Sequence, residues 1–158
     1  MRVGLGYDSH RFEHPGPLVL AGVRIPFDLH LAGHSDGDVA CHALTDAILG
    51  AAGAGDIGEM FRDDDPKHAG RDSTEMLAIA VQHVRGLGFA VNQADVTIVT
   101  ESPRISTYRQ AMRERLASSM GVDVGSVSVK AKSNERMGWV GRGEGIACIA
   151  VATLTAVS

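Results

Sequence analysis

An α+β fold, an α/β sandwich with helices over one face of a mixed β-sheet, is what this sequence predicts. Three observations carry it: strand-like stretches interleave with three helical ones, the first two strands read as a pair joined by a turn, and the last stretch is apolar throughout. The chain of 158 residues fits a single domain, 1–158, large enough to bury a core without staples. No repeat, linker or low-complexity segment interrupts it.

Residues 2 to 13 alternate loosely and contain Gly4 and Gly6, as in a strand whose backbone packs against or bends around something. Asp8 and His10, two apart on that strand, project from one face and can converge on one cation. His14-Pro15-Gly16-Pro17 reads as a turn, Leu18 to Ile25 as a second strand, and Pro26 as its end. His30 reads as a surface loop residue. His34 falls just before a helix, where amides and dipole favour an anion such as phosphate.

That helix carries the densest chemistry. Ser35 is its expected N-cap, with Asp38 three residues on in a capping box, and Ala40, Leu44, Ala47, Ile48 and Ala51 recur at helical spacing as the buried face. Asp38, His42 and Asp46 then stack at i, i+4 and i+8 on nearly the opposite side. Such a row serves a solvated face as well as a site, and the choice rests on the rest of the chain.

The helix fades through Gly50, Gly53 and Gly55. Asp63-Asp64-Asp65 is either a solvated turn or part of a mobile lid. Asp72 to Glu75 opens a second helix by another capping box, with Met76, Leu77, Ala80, Val81 and Val84 as its stripe, an end at Gly86 or Gly88, and a structural His83. Phe89 to Thr100 reads as a strand, broken by Glu101 to Arg104. The third helix runs from about Thr107 to Gly121, with Tyr108, Ala111, Met112, Leu116 and Met120 inward. Val127, Val129 and Ala131 alternate with Ser128, Lys130 and Lys132 as a half-buried strand. Ser133 to Gly145 is a glycine-rich connection, and Ile146 to Val157 a final strand. Its Ala147, Ile149, Val151 and Leu154 are too apolar to leave a sheet face wet, so an oligomer is expected.

Composition narrows the function classes. No apolar run is long enough for a membrane span, and Met1 leads into a strand without a basic-then-apolar leader, so no membrane and a cytoplasmic location are expected. A net charge of −4 with 4% aromatics argues against nucleic-acid binding. Cys41 and Cys148 sit among small apolar residues and read as buried thiols. Cys41 adjoins His42, but sequence neighbours point to different helix faces.

Asp8, His10 and His42 together make a site with mixed oxygen and nitrogen donors and room for a substrate oxygen or water, the form of a catalytic zinc site. Asp46, one turn beyond His42, is the expected partner of a ligand imidazole. His34, Lys132, Arg142 and the segment 138 to 145 add groups for phosphate. The three ligands suit a metal-dependent phosphoesterase as well as a phosphoryl-transfer enzyme.

The stretches Gly6-Tyr7-Asp8-Ser9-His10, His34 through Asp46, Gly55-Asp56-Ile57-Gly58 and Gly141-Arg142-Gly143-Glu144-Gly145 resemble, in order and end to end, the signatures of the 2-C-methyl-D-erythritol 2,4-cyclodiphosphate synthase family. The resemblance implies a homotrimer with sheets packed around the threefold axis and active sites between subunits. It also implies the reaction. The 2-phosphate of 4-diphosphocytidyl-2-C-methyl-D-erythritol 2-phosphate attacks the β-phosphorus of the same molecule, closing a cyclodiphosphate and expelling CMP.

By the same resemblance Asp8, His10 and His42 hold Zn2+ or another divalent ion, and Glu135 places a second, Mg2+ or Mn2+, across the substrate phosphates. His34 and Ser133 stabilise the transition state. Ser35 and the run Phe61, Arg62, Asp63, Asp64 and Asp65 embrace the methylerythritol phosphate, while Asp56, Ile57 and Gly58 serve the ribose side. Thr100, Glu101, Ser102, Pro103, Arg104, Ile105 and Ser106, with Lys132 and Asn134, form the cytidyl and phosphate pocket of the adjoining subunit. The sequence departs from the family pattern at Arg62, where Pro is usual, at Lys132 and Asn134, where Thr is frequent, and at Trp139, where Phe is usual. In relatives the aromatic at 139 and Arg142 line an axial cavity that holds an isoprenoid diphosphate; Trp139 either lines that cavity or plugs it. A trimeric binding protein for such diphosphates is the alternative that this feature leaves open.

Overall fold

The computed structural model describes residues 1–157. Its centre is a five-stranded mixed sheet in the order β4-β1-β7-β5-β6, made by β1 (Arg2–Glu13), β4 (His30–Leu31), β5 (Phe89–Val99), β6 (Val127–Lys132) and β7 (Gly145–Ala156). β7 pairs antiparallel with β1 on one side and β5 on the other, and only β5 and β6 run parallel. The long helices are α1 (Val39–Ala52), α3 (Ser73–Gly86) and α4 (Arg109–Met120), with single-turn helices α2 (Ile57–Met60) and α5 (Gly138–Gly141).

Alternation along the strands divides the sheet. Gly4, Gly6, Asp8 and His10 of β1, Ala94, Val96 and Ile98 of β5, and Ile146, Cys148, Ala150, Ala152 and Leu154 of β7 face the helices, and the large apolar members are fully buried. The alternate residues face outward. Val3, Leu5 and Tyr7 are more than half exposed, at 65%, 67% and 54%, and Ile149 stands beside them at 41%. One apolar sheet face is therefore bare on the single chain, as the apolar last strand leads one to expect. Leu154 does not belong to that face, because its even position in β7 turns it into the core.

The two small residues of β1 set the distance between layers. A Cβ on Gly4 would lie 1.9 Å from the carbonyl oxygen of Ala47, and one on Gly6 1.8 Å from that of Ala43. Only glycine lets the α1 backbone rest directly on the strand. This close approach brings His42 over Asp8 and His10.

Several elements differ from the sequence expectation. Residues 18 to 25 form a hairpin, β2 (Leu18–Leu20) and β3 (Val23–Ile25), turning at Ala21 (φ 50°) and Gly22 (φ 73°). The turn is held from a distance, its two amides donating to the Asp38 carboxylate at 2.8 and 2.7 Å. Asp38, rather than Ser35, is the N-cap of α1, accepting from Cys41 N at 3.1 Å. The row Asp38, His42, Asp46 is consequently no wet face: the hairpin and α3 cover it, leaving Asp38 and His42 buried and Asp46 half-buried. Finally, the connection after β6 folds into α5, and in α4 it is Ala117 that is buried while Ala111 is exposed.

Other expectations hold. Asp72 caps α3 through Thr74 N, α1 and α4 end on left-handed Gly53 and Gly121, and both cysteines are buried free thiols. Burial, with Asp38 nearby, pushes the Cys41 thiol well up, and burial does the same to Cys148. Among the described residues no helix is long and apolar enough to cross a membrane.

Candidate active site

β1 and α1 supply the centre of the site. Asp8 Oδ2 lies 2.9 Å from His10 Nε2 and 3.2 Å from His42 Nδ1, and the two nitrogens are 3.2 Å apart. One ligand atom from each of these three residues lies within 4.8 Å of the others, a donor set of one carboxylate and two imidazoles that fits a divalent metal. The fit extends to the far side of His10. Its Nδ1 is 2.5 Å from the carbonyl oxygen of Ala32, which can only accept, so Nδ1 carries the proton and Nε2 presents its lone pair to the centre.

Electrostatics reinforce the arrangement. Burial alone would raise the Asp8 carboxyl, but hydrogen bonds from His10 and His42 and their charge outweigh it and bring it down to about 2. Burial likewise works against the His10 imidazolium, and the Asp8 hydrogen bond and charge override it, so His10 is raised above its ordinary value. The carboxylate is thus ionised over the whole working range, and a metal competes with a proton at His10.

A cavity of about 310 Å3 opens over the trio, with His34, Ser35, Ile57, Gly58, Phe61 and Asp63 on its wall. His34 is exposed and stands in the loop well before α1 begins at Val39, so it lies on the cavity rim and not at the helix N-terminus. Asp56, Arg62 and Asp64 line a shallower hollow that shares Gly58 and Asp63 with this cavity. Arg62 is tied to Asp64 by bonds of 2.9 and 2.7 Å, and Asp65 caps the turn Pro66–His68 while pairing with Lys67 at 3.0 Å. Asp64 and Asp65 are thus taken up in local ion pairs, while Asp63 faces the cavity.

The cytidyl-side residues gather elsewhere. Thr100, Glu101, Pro103, Arg104, Ile105 and Ser106 line a second cavity of about 310 Å3 together with Lys132 and Ser133, and it shares no residue with the first. Ser102 takes part through its carbonyl, which accepts from Thr100 Oγ1 at 2.6 Å. Glu101 accepts from the amides of Asn134 and Arg136 at 2.7 and 3.2 Å, fixing the loop in which Glu135 sits at φ 51° beside the Ser133 hydroxyl. Trp139 and Arg142 line neither cavity. Trp139 is 37% exposed on α5, and Arg142 pairs with Glu144 at 3.1 Å.

Two expectations change on the α1 side. Asp46 does not orient His42: its carboxylate accepts from Ile57 N at 2.8 Å and so anchors α2 under the cavity. The His42 Nε2 faces hydroxyls instead, Ser73 Oγ at 2.8 Å and Ser35 Oγ at 3.0 Å. Ser73 is visible in the sequence only as the first residue of a capped helix. His30 also belongs to a strand, with its Nδ1 2.5 Å from the Pro15 carbonyl. His68 and Met76 line the first cavity as well, and nothing in their spacing points there.

Known proteins resemble this chain along its whole length. A curated relative from Gemmatimonas aurantiaca, a 2-C-methyl-D-erythritol 2,4-cyclodiphosphate synthase, is 54% identical over 157 residues, 99% of this chain and 95% of its own. A solved 2C-methyl-D-erythritol-2,4-cyclodiphosphate synthase in a CDP-bound form superposes with a TM-score of 0.90 at 36% identity, over 98% of this chain and 100% of that one. The bifunctional IspDF of Campylobacter jejuni superposes with a TM-score of 0.96 at 41% identity, over 99% of this chain; this chain spans 42% of its length. The YgbB family profile matches residues 1–155, and with that span the chain belongs to the YgbB family.

Proposed function

We propose that the chain converts 4-diphosphocytidyl-2-C-methyl-D-erythritol 2-phosphate to 2-C-methyl-D-erythritol 2,4-cyclodiphosphate and CMP. This is a phosphorus–oxygen lyase reaction of non-mevalonate isoprenoid precursor biosynthesis. The supporting observation is the Asp8, His10, His42 trio at the floor of a cavity, in a chain alike from end to end to synthases of that name. A cytoplasmic location and a single domain, 1–158, go with this reading.

The chemical task is to bring two repelling phosphates into line and neutralise charge as the ring closes. Bound at Asp8, His10 and His42, zinc or another divalent ion would supply a Lewis-acidic charge for the β-phosphate. Glu135 would hold a second, magnesium or manganese, near the substrate phosphates. The rest falls to the chain. Ser35 and the segment Phe61 to Asp65 hold the methylerythritol phosphate, while Asp56, Ile57 and Gly58 position the ribose. His34 and Ser133 donate to phosphate oxygens from opposite sides. Thr100 to Ser106, with Lys132 and Asn134, enclose the cytidyl group, whose chemistry matches the CDP held by the solved relative.

His34 and Ser133 line separate cavities that share no residue, which supports a site completed across subunits. A homotrimer completes it by joining the first cavity of one subunit to the second cavity of the next. The bare face of Val3, Leu5, Tyr7 and Ile149 is the surface for that assembly. Trp139 and Arg142, at the end of the sheet, are then the groups available to an isoprenoid diphosphate on the axis.

Phosphorus NMR tests the reaction. The protein with magnesium, trace zinc and the cytidyl substrate should give two coupled diphosphate resonances alongside CMP, and chelator should abolish both. Inorganic phosphate in their place would overturn the proposal.

A further inference from the structure

His42 meets the metal centre through Nδ1, so its usefulness as a ligand depends on which nitrogen carries the proton. The far side of the ring holds the answer. Ser73 Oγ, completely buried, lies 2.8 Å from His42 Nε2, and its other neighbour is Asp36 Oδ1, to which it donates in a short hydrogen bond. An ionised carboxylate can only accept, so the single Ser73 hydroxyl proton is committed to Asp36. The serine oxygen then turns a lone pair to His42 and draws the imidazole proton to Nε2, against the Asp8 carboxylate, which at 3.2 Å from Nδ1 draws it the other way. With the proton on Nε2, Nδ1 is a lone pair aimed at Asp8 and His10.

Asp36 is itself held. Its Oδ2 accepts from Ser73 N at 3.1 Å, its Oδ1 from Asp38 N at 3.1 Å, and its own amide donates to Arg71 O at 3.2 Å. The carboxylate thus grips the first residue of α3 by both amide and hydroxyl, next to the loop that starts α1. Ser35 Oγ, 3.0 Å from Nε2, has no such anchor; it accepts weakly from Gly37 N and touches Ser73 Oγ at 3.3 Å. It can follow either tautomer.

We infer that Asp36 and Ser73 are positioning residues, a carboxylate–hydroxyl relay that biases His42 toward the Nε2–H tautomer and so prepares its Nδ1 for metal. They do for His42 what the Ala32 carbonyl does for His10, with a serine interposed. The inference rests on the metal-site reading above. Its failure is distinguishable from failure of that reading, because the tautomer is read in metal-free protein.

The test uses the full chain labelled with 15N-histidine, stripped of metal and held at alkaline pH, where long-range 1H–15N correlation spectra report each ring's tautomer. The parent should show His42 as Nε2–H. In Asp36→Asn the amide can donate to Ser73, whose hydroxyl then reverses toward His42 and moves the ring to Nδ1–H. In Ser73→Ala the ring should become a mixture. Zinc affinity, measured by competition with a chromophoric chelator, should fall about 10- to 100-fold in both, the usual cost of losing such a partner. Ser73→Ala removes only a hydroxyl and serves alone if Asp36→Asn does not fold. A parent ring already in the Nδ1–H form would overturn the inference. So would weakened zinc binding in Ser73→Ala with the tautomer unchanged, or zinc affinity within twofold of the parent.

Discussion

The Cα of Gly6 faces the carbonyl oxygen of Ala43 so closely that a Cβ would come within 1.8 Å of it, one residue after His42. Layer spacing therefore sets how closely His42 approaches Asp8 and His10. Gly6→Ala must push α1 off β1, at an expected cost on the order of 1–3 kcal/mol or more, with His42 drawn away from Asp8 and His10. Gly50 is the internal control: a Cβ there meets nothing within 4 Å, and Gly50→Ala should stabilise by about 0.5–1 kcal/mol. Denaturant unfolding and zinc titration of both variants check this pair of effects.

Metal and pH should be linked through β1. The Asp8 carboxyl is lowered from 3.8 to about 2, so its contribution to stability is present above 3.8 and lost as pH falls toward 2. His10 is raised above 6.5, so its contribution is complete below 6.5 and lost as pH rises through its folded value. Chelated protein should accordingly lose melting temperature as pH rises above 6.5. Saturating zinc should remove that alkaline decline, since a ligand imidazole is already neutral. Thermal melts across pH, with and without zinc, read both trends.

Asp38 is a buried carboxylate with three amides on it, from Ala21, Gly22 and Cys41. Burial raises its carboxyl, and the neighbouring Asp36 adds to this, while the three amides oppose it. Asp38→Asn would turn an NH2 group against at least one of these donors. We expect a loss of about 1–3 kcal/mol, with faster hydrogen exchange in β2 and β3 than in the sheet.

Leu5→Glu places a charge in the middle of the bare sheet face, where Leu5 is 67% exposed on the single chain. Light scattering should show monomers in place of trimers. Zinc affinity should be retained, because its ligands lie on one chain, and turnover should be lost, because the two cavities part. A fully active monomer would refute the shared site.

Much of this was legible in the sequence, for reasons that differ by element. Strand period and glycine stops placed β1, β5, β7, α3 and α4, and Asp8 and His10 two apart on β1 are visibly convergent. His42 could be paired with them only once Gly4 and Gly6 are understood as a seat for a helix. The hairpin at Ala21 and Gly22 was hidden because Ala at positive φ gives no turn signal, and its anchor, Asp38, is remote in sequence. Ser73 and Asp36 were hidden for a related reason. Their roles depend on where hydroxyl and imidazole protons go across an α1–α3 contact, which no spacing encodes. The split between two cavities is likewise a property of the folded chain, not of any motif.

The central claim is that the attacking group is the substrate's own phosphate and not water. Turnover in 18O-enriched water, followed by mass spectrometry of both products, separates the two. The expected result is CMP and cyclodiphosphate without label, formed in equal amounts and dependent on metal. Label in either product, or release of an open diphosphate, would mean that the Asp8, His10, His42 centre activates water, and the chain would then be a hydrolase.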